Sequence, residues 1–314
     1  MTIITDSTTS HVHAKPKGLS ARHREWVAGY LFVLPDVLGL FLFLGVPMLL
    51  SLALSAFEVN GFGDYSFVGA KNYIRIWHDP LFWKGARATA LYAVMLVPAL
   101  YVSGLGLALL VQQTNRFNAV MRSMFFAPNM ISLVVVAVVW QFMVIDKIGI
   151  VSQAMSALGL NAISFLGDPN FALVTVTFVS VWFLMGFYML IFLGGLQDIP
   201  KEYYEAAMID GAGPVARFRH ITLPLLKPTS FFVIMVSMVA AVAGAQAFDI
   251  IYVMTKGGPA NSTAVLIVYI YQQAFSFGAF GYAAAMSSIL VIALMIVTAI
   301  FFAVTQGGRF DHAE

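Results

Sequence analysis

Cysteine is absent from this chain of 314 residues, which excludes disulfides, thiolate nucleophiles and Cys-ligated metal. Charge is scarce as well. Only 10% of residues are Asp, Glu, Lys or Arg and the net charge is +2, where a soluble domain carries about 25% charged residues. So small a balance, with the basic residues spread along the chain, excludes a nucleic-acid partner. No Gly-Lys dipeptide occurs, so no P-loop can form and the chain has no nucleotide-driven motor of its own. The 6 histidines all lie outside the long apolar runs, which argues against an enzyme embedded in them. His11 and His13, close together near the start, read as solvated tail residues and not as metal ligands.

What remains is apolar. Hydrophobic residues make up 60% of the chain and the mean hydropathy is +0.86, so lipid must solvate most of it. A bilayer core about 30 Å thick calls for roughly 20 apolar residues per helix. Six runs reach that length: Ala28 to Ala56, Ala88 to Val111, Met124 to Ile145, Phe171 to Leu196, Thr229 to Met254 and Ala283 to Val304. None alternates as the strands of a closed barrel would. The expected fold is therefore all-α, a polytopic membrane protein with six transmembrane helices in residues 25–306. A disordered amino-terminal tail (1–24) and a short carboxy-terminal tail (307–314) are expected to flank it.

Lys15, Lys17, Arg22 and Arg24 precede the first run as in a signal peptide. That run is too long and lacks a small-residue cleavage site, so it is expected to be retained. With the amino terminus inside, Arg116, Arg122, Lys201, Arg217, Arg219, Lys227 and Arg309 join those four to make eleven basic residues on the cytoplasmic side. Lys71, Arg75, Lys84, Arg87, Lys147 and Lys256 make six on the other. The positive-inside rule then places both termini in the cytoplasm.

The most polar stretch between runs is 197–228. Pro200 suits a first helical turn, Glu202 the positive end of a helix dipole, and Gly211 the left-handed residue that closes a helix. Tyr204, Ala207 and Met208 recur at i, i+3 and i+4 as one apolar side. A second short helix is predicted from Pro214 toward Ile221, broken by Leu223-Pro224. Two such helices around a glycine turn make either a hairpin resting on lipid or a docking knob for a protein partner.

This stretch resembles a known signature. Glu205-Ala206-Ala207, Gly211, Ile221, Leu223 and Pro224 match every fixed position of E-A-A-x-x-x-G-x9-I-x-L-P, the motif of permease subunits in binding-protein-dependent ABC importers. Three further stretches are similar to the carbohydrate branch, whose members resemble maltose and glycerol-phosphate permeases. They are Phe67 to Tyr73 with Asp79 to Trp83, Phe248 to Tyr252 with Thr255 to Pro259, and Gly281 to Ala285. Ala127-Pro128 and Arg87-Ala88-Thr89 depart from the branch pattern. The resemblance implies a type I importer permease fold in the cytoplasmic membrane of a prokaryote. It implies a non-catalytic subunit with no cofactor of its own, ATP and magnesium being held by a partner ATPase. The expected partners are a second permease in a heterodimer, two copies of the ATPase and an extracytoplasmic binding protein. Glu205, Ala206, Ala207, Asp210 and Gly211 are then the residues that touch the ATPase.

A sugar-like solute binds through hydrogen bonds and ring stacking. Candidates inside the runs are Gln246 and Asp249 in the fifth, Trp182 and Tyr188 in the fourth, and Asn129 in the third. Gln246 stands first, because an unpartnered amide in hydrocarbon is costly. It also resembles a substrate-contacting position of the branch. A phosphate ester such as glycerol phosphate would want Lys or Arg in the path, and the runs show none. An ion-coupled secondary transporter is the reading from another class, with Asp36 and Asp249 as its intramembrane carboxylates.

Overall fold

A computed structural model describes residues 21–59, 65–159 and 163–305. Of the tails expected at 1–24 and 307–314, residues 1–20 and 307–314 lie outside the described residues. Two compact units divide the chain, residues 1–51 and 52–314. The first, as described, is a single helical stretch. Helix α1 (Ala21–Leu40) passes through a π turn at Phe41–Gly45 into α2 (Val46–Leu54), which ends inside the second unit. The described helix includes residues 21–24, which fall within the expected tail.

The second unit opens with a hairpin the all-α reading omits. Strands β1 (Phe57–Val59) and β2 (Tyr65–Phe67) pair antiparallel, with Phe57 opposite Phe67 and Val59 opposite Tyr65. Helices α3 (Lys71–Trp77), α4 (Pro80–Val111), α5 (Arg116–Phe126), α6 (Leu133–Val144), α7 (Ile150–Ala157) and α8 (Pro169–Gln197) follow. The polar stretch holds α9 (Lys201–Ile209), α10 (Pro214–Arg217) and α11 (Leu223–Leu225). Then come α12 (Lys227–Ala243), α13 (Ala245–Met254), α14 (Leu266–Tyr271) and α15 (Phe280–Val304).

Among the described residues four stretches are long and apolar enough to cross a membrane, and six when each bent pair counts as one span. The third and fifth runs are not the continuous helices that their apolarity suggests. The third bends by 94° between α5 with its following turn and α6. Ala127–Met130 is a 3₁₀ turn holding Pro128, and Ile131 is extended (φ −97°, ψ 148°), so the helical ladder stops and restarts at Leu133. In the fifth, Gly244 is extended (φ −72°, ψ 142°) between α12 and α13. A Cβ there would collide with the Ala240 carbonyl oxygen.

Helix α8 is the most buried of the long helices, with one open stripe that includes Phe171, Val174 and Phe178. Its main partner is α4, whose buried Ala88, Tyr92, Leu96, Leu100, Gly104 and Ala108 recur every fourth residue. Lipid tails are as apolar as Leu, so close packing and polar links must hold the two helices together. Gly104 lets α4 approach the backbone of Tyr188 and Met189. Buried Tyr92 donates to Ser180 Oγ at 2.8 Å. Elsewhere on α8, Gly186 admits the Phe125 carbonyl, and Gly195 admits Thr229.

The end of α4 farthest from the polar stretch is tied by a carboxylate. Tyr269 and Tyr282 both donate to Asp79 Oδ2, at 2.7 and 2.6 Å, and the Leu81 amide donates to Oδ1 at 2.8 Å. The Arg75 guanidinium lies 4.1 Å from the Tyr282 ring centroid. Burial alone would raise the Asp79 pKa, but the hydroxyls of Tyr282 and Tyr269 and the amides of Leu81 and Phe82 outweigh it, leaving the group below its ordinary 3.8. Asp79 thus joins α3, α4, α14 and α15 at one point.

A group with a depressed folded pKa stabilises above its unfolded value and loses that contribution as pH falls through the folded one. Asp79→Asn should therefore lower the detergent melting temperature at pH 7, with the gap to wild type closing as pH drops below about 4. Gly186→Ala should cost about 1–3 kcal/mol, since the new methyl must displace a backbone carbonyl. Gly106→Ala, with open space at its Cβ, should leave the same melting curve unshifted or raised.

Candidate functional site

The polar stretch folds as a closed two-armed knob. Pro200 is the N-cap of α9 instead of its first helical residue. At the other end of α9 the Ala212 amide donates to Ala207 O at 2.8 Å and the Gly211 amide to Met208 O at 3.1 Å. This is the 6→1 and 5→2 pairing of a Schellman cap. It requires the left-handed residue, and Gly211 has φ +80°. Nothing lies within 4 Å of a Cβ built there, so glycine is demanded by backbone conformation and not by space.

The second arm begins at Pro214, runs through α10 and widens into a π turn at Phe218–Thr222. Leu223-Pro224 does not break it. The widened turn carries the chain through Pro224 into α11, and the 65° bend falls after Leu225, ahead of α12. The two arms are joined where Tyr204 Oη meets Thr222 Oγ1 at 3.0 Å. Glu205, Ala206, Asp210 and Gly211 are exposed, and Ala207 is half-buried. Beside them stand large apolar side chains in the open: Met208 (51% exposed), Ile209 (86%) and Val215 (79%).

The solute-path candidates separate. Gln246 is exposed and Asp249 half-buried; they share a face of α13, and neither has a hydrogen-bond or ion-pair partner among the described residues. Half-buried Trp182 packs edge-on to Trp140, with centroids 5.5 Å apart. Asn129 spends its amide on the Phe183 carbonyl, 2.6 Å away, tying the broken third span to α8. Tyr188 is a correction. At 1% exposure it is packed against Gly104 inside the α4/α8 contact, where no solute reaches it.

Sequence reading missed an aromatic column beside Gln246 and Asp249. Phe248 and Tyr252 stack at 5.1 Å and 14°, Tyr271 lies 4.9 Å from Phe248, and Phe275 lies 4.9 Å from Tyr271. The i, i+4 spacing of both aromatic pairs was the available signal.

Residues 101–307 match the family of binding-protein-dependent transport system inner membrane components. The chain belongs to that family. This inner membrane component is 34% identical to the lactose transport system permease protein LacF of Rhizobium radiobacter, across 88% of this chain and 93% of that one. It is 30% identical to the trehalose/maltose transport system permease protein MalF of Thermococcus litoralis, across 92% and 96%. Among solved structures, a chain of a bacterial alginate ABC transporter, in complex with its alginate pentasaccharide-bound periplasmic protein, has the same fold. The TM-score is 0.78 at 20% identity, covering 90% of this chain and 95% of that one. The family is thus of multi-pass permeases that work with a binding protein, and the matched region contains the whole knob.

Valine at a position of φ +80° should cost the inner membrane component about 1–2 kcal/mol of local stability. Gly211→Val should therefore speed limited proteolysis between Ile209 and Pro214 without lowering the amount of protein in the membrane. Gly213→Ala, at φ −69° with open space around it, should cut at the wild-type rate.

Proposed function

We propose that this chain is one half of the pore in an ATP-driven importer, carrying a sugar-like solute across the cytoplasmic membrane by alternating access. The observation that carries the reading is the knob: a Schellman-closed turn presenting Glu205 to Gly211 with Met208 and Ile209 bare beside them. Exposed large side chains on a rigid helical turn suit a groove in a protein partner. The partner is a separate ATPase, present in two copies, that holds ATP and magnesium, since the chain itself has no P-loop. Its closure is transmitted through Glu205, Ala206, Ala207, Asp210 and Gly211 to the spans on either side. A second permease completes the pore as a heterodimer, and an extracytoplasmic binding protein delivers the solute. Both termini are cytoplasmic, and the chain performs no chemistry itself.

The names of the relatives support a carbohydrate: lactose in one case, trehalose and maltose in the other. On the solute path, Gln246 and Asp249 supply unspent polar groups, and the column of Phe248, Tyr252 and Tyr271 supplies flat faces for ring stacking. Trp182 lies in the second aromatic group with Trp140. Asn129 serves the path indirectly, by fixing the break in the third span.

Purification in mild detergent should bring down an ATPase and a second permease with the wild type, and Gly211→Val should lose the ATPase. Gln246→Ala should raise the half-saturating solute concentration about three- to tenfold, the size of one lost neutral hydrogen bond, while ATPase recovery stays unchanged. Recovery of the chain alone, with uptake abolished by a protonophore and indifferent to ATP, would overturn the reading.

A further inference from the structure

A cavity of about 400 Å³ opens at the amino-terminal ends of α4 and α8, on the membrane face opposite the knob. Its size is that of a small-ligand site. The lining changes character along α4. Lys84 and Arg87 come first, then Leu91 and Met95, at i, i+3, i+7 and i+11 on one helical face, descending about 16 Å along the axis. From α8, Asn170 lies at the charged end and Val174 further in. Leu91 and Val174 are 46% and 51% exposed, apolar surface that on a membrane-spanning helix meets lipid.

The charged end is electrostatically unfinished. Lys84 and Arg87 are exposed and have no carboxylate or hydrogen-bond partner among the described residues. No acidic residue lines the cavity. The nearest carboxylate along α8, Asp168, is spent on the amide and side chain of Asn170. Ser262 Oγ, also in the lining, is buried without a partner, and a buried hydroxyl left open calls for an unseen one. Ala260 and Asn261 beside it hold left-handed backbone at φ 49° and 62°, unusual for residues with a Cβ.

We infer that this cavity is a site for an anionic phospholipid, with the phosphate on Lys84, Arg87 and Ser262 and the upper part of one acyl chain along Leu91, Met95 and Val174. A guanidinium and an ammonium on one rim suit a phosphate diester. A floor of aliphatic side chains suits methylenes. A sugar is the wrong occupant, because no aromatic ring lines the cavity and its deep end offers no hydrogen bond. The site is separate from Gln246 and Asp249.

The test uses the full chain, stripped of lipid in detergent and mixed with phosphatidylglycerol, with phosphatidylcholine of the same chains, or with inorganic phosphate; retained ligand is counted by native mass spectrometry. Wild type should keep phosphatidylglycerol in preference to phosphatidylcholine. The pair Lys84→Gln and Arg87→Gln should weaken that retention roughly thirtyfold, from about fivefold per basic group. The charge-keeping pair Lys84→Arg and Arg87→Lys should restore it and report that the fold is intact. Lys71→Gln, whose charge is already matched by Glu58 at 3.2 Å, should leave it unchanged. Equal retention of the two lipids, equal loss with Lys71→Gln, failure of the charge-keeping pair, or retention of inorganic phosphate as strong as that of lipid would each overturn the assignment.

Discussion

Helices in lipid gain nothing by hiding apolar surface from one another, so the permease depends on how closely α4 and α8 can approach. The every-fourth-residue stripe of α4 and the glycine at 104 bring the two backbones together. The buried hydroxyl pair of Tyr92 and Ser180 fixes their rotation. Two further glycines of α8, Gly186 and Gly195, are used the same way, so that a single central helix positions the broken third span and α12.

The breaks in the third and fifth spans follow a different rule. Non-helical backbone at membrane depth is tolerated only when something other than lipid satisfies it. At the first break the turn meets part of that requirement itself, the Ile131 amide donating to the Pro128 carbonyl at 3.1 Å, and the Asn129 side chain ties the turn to α8 by donating to the Phe183 carbonyl. At the second, Gly244 leaves α13 as a short separate helix that carries Gln246 and Asp249. Irregular backbone and unspent polar groups coincide there, which is why the proposed solute path is drawn past Gln246 and Asp249.

Much of this was legible in the residues, and the failures have physical reasons. Length and apolarity suffice for α4, α8 and α15, because a bilayer asks only for a long enough apolar helix. They are blind to the breaks, since the backbone is interrupted at Pro128, Ile131 and Gly244 without the run becoming less apolar. Gly211 was readable because a left-handed C-cap is a local demand. Tyr188 was not, because a ring with a polar tip fits a solute path or a helix contact equally well. What decides is Gly104 on another helix. The cationic end of the cavity was hidden for a related reason: the second run was counted from Ala88, whereas the helix starts at Pro80 and so carries Lys84 and Arg87 within it.

The knob between the fourth and fifth spans is closed by its own amides and by one hydroxyl pair between its arms. Its shape is settled when the chain folds, so a protein that engages it meets a finished key and bears little of the entropy of ordering a loop. Under the proposed coupling, a push on such a body would move it as a whole and carry the displacement into α8 and α12, where a floppy connection would absorb it.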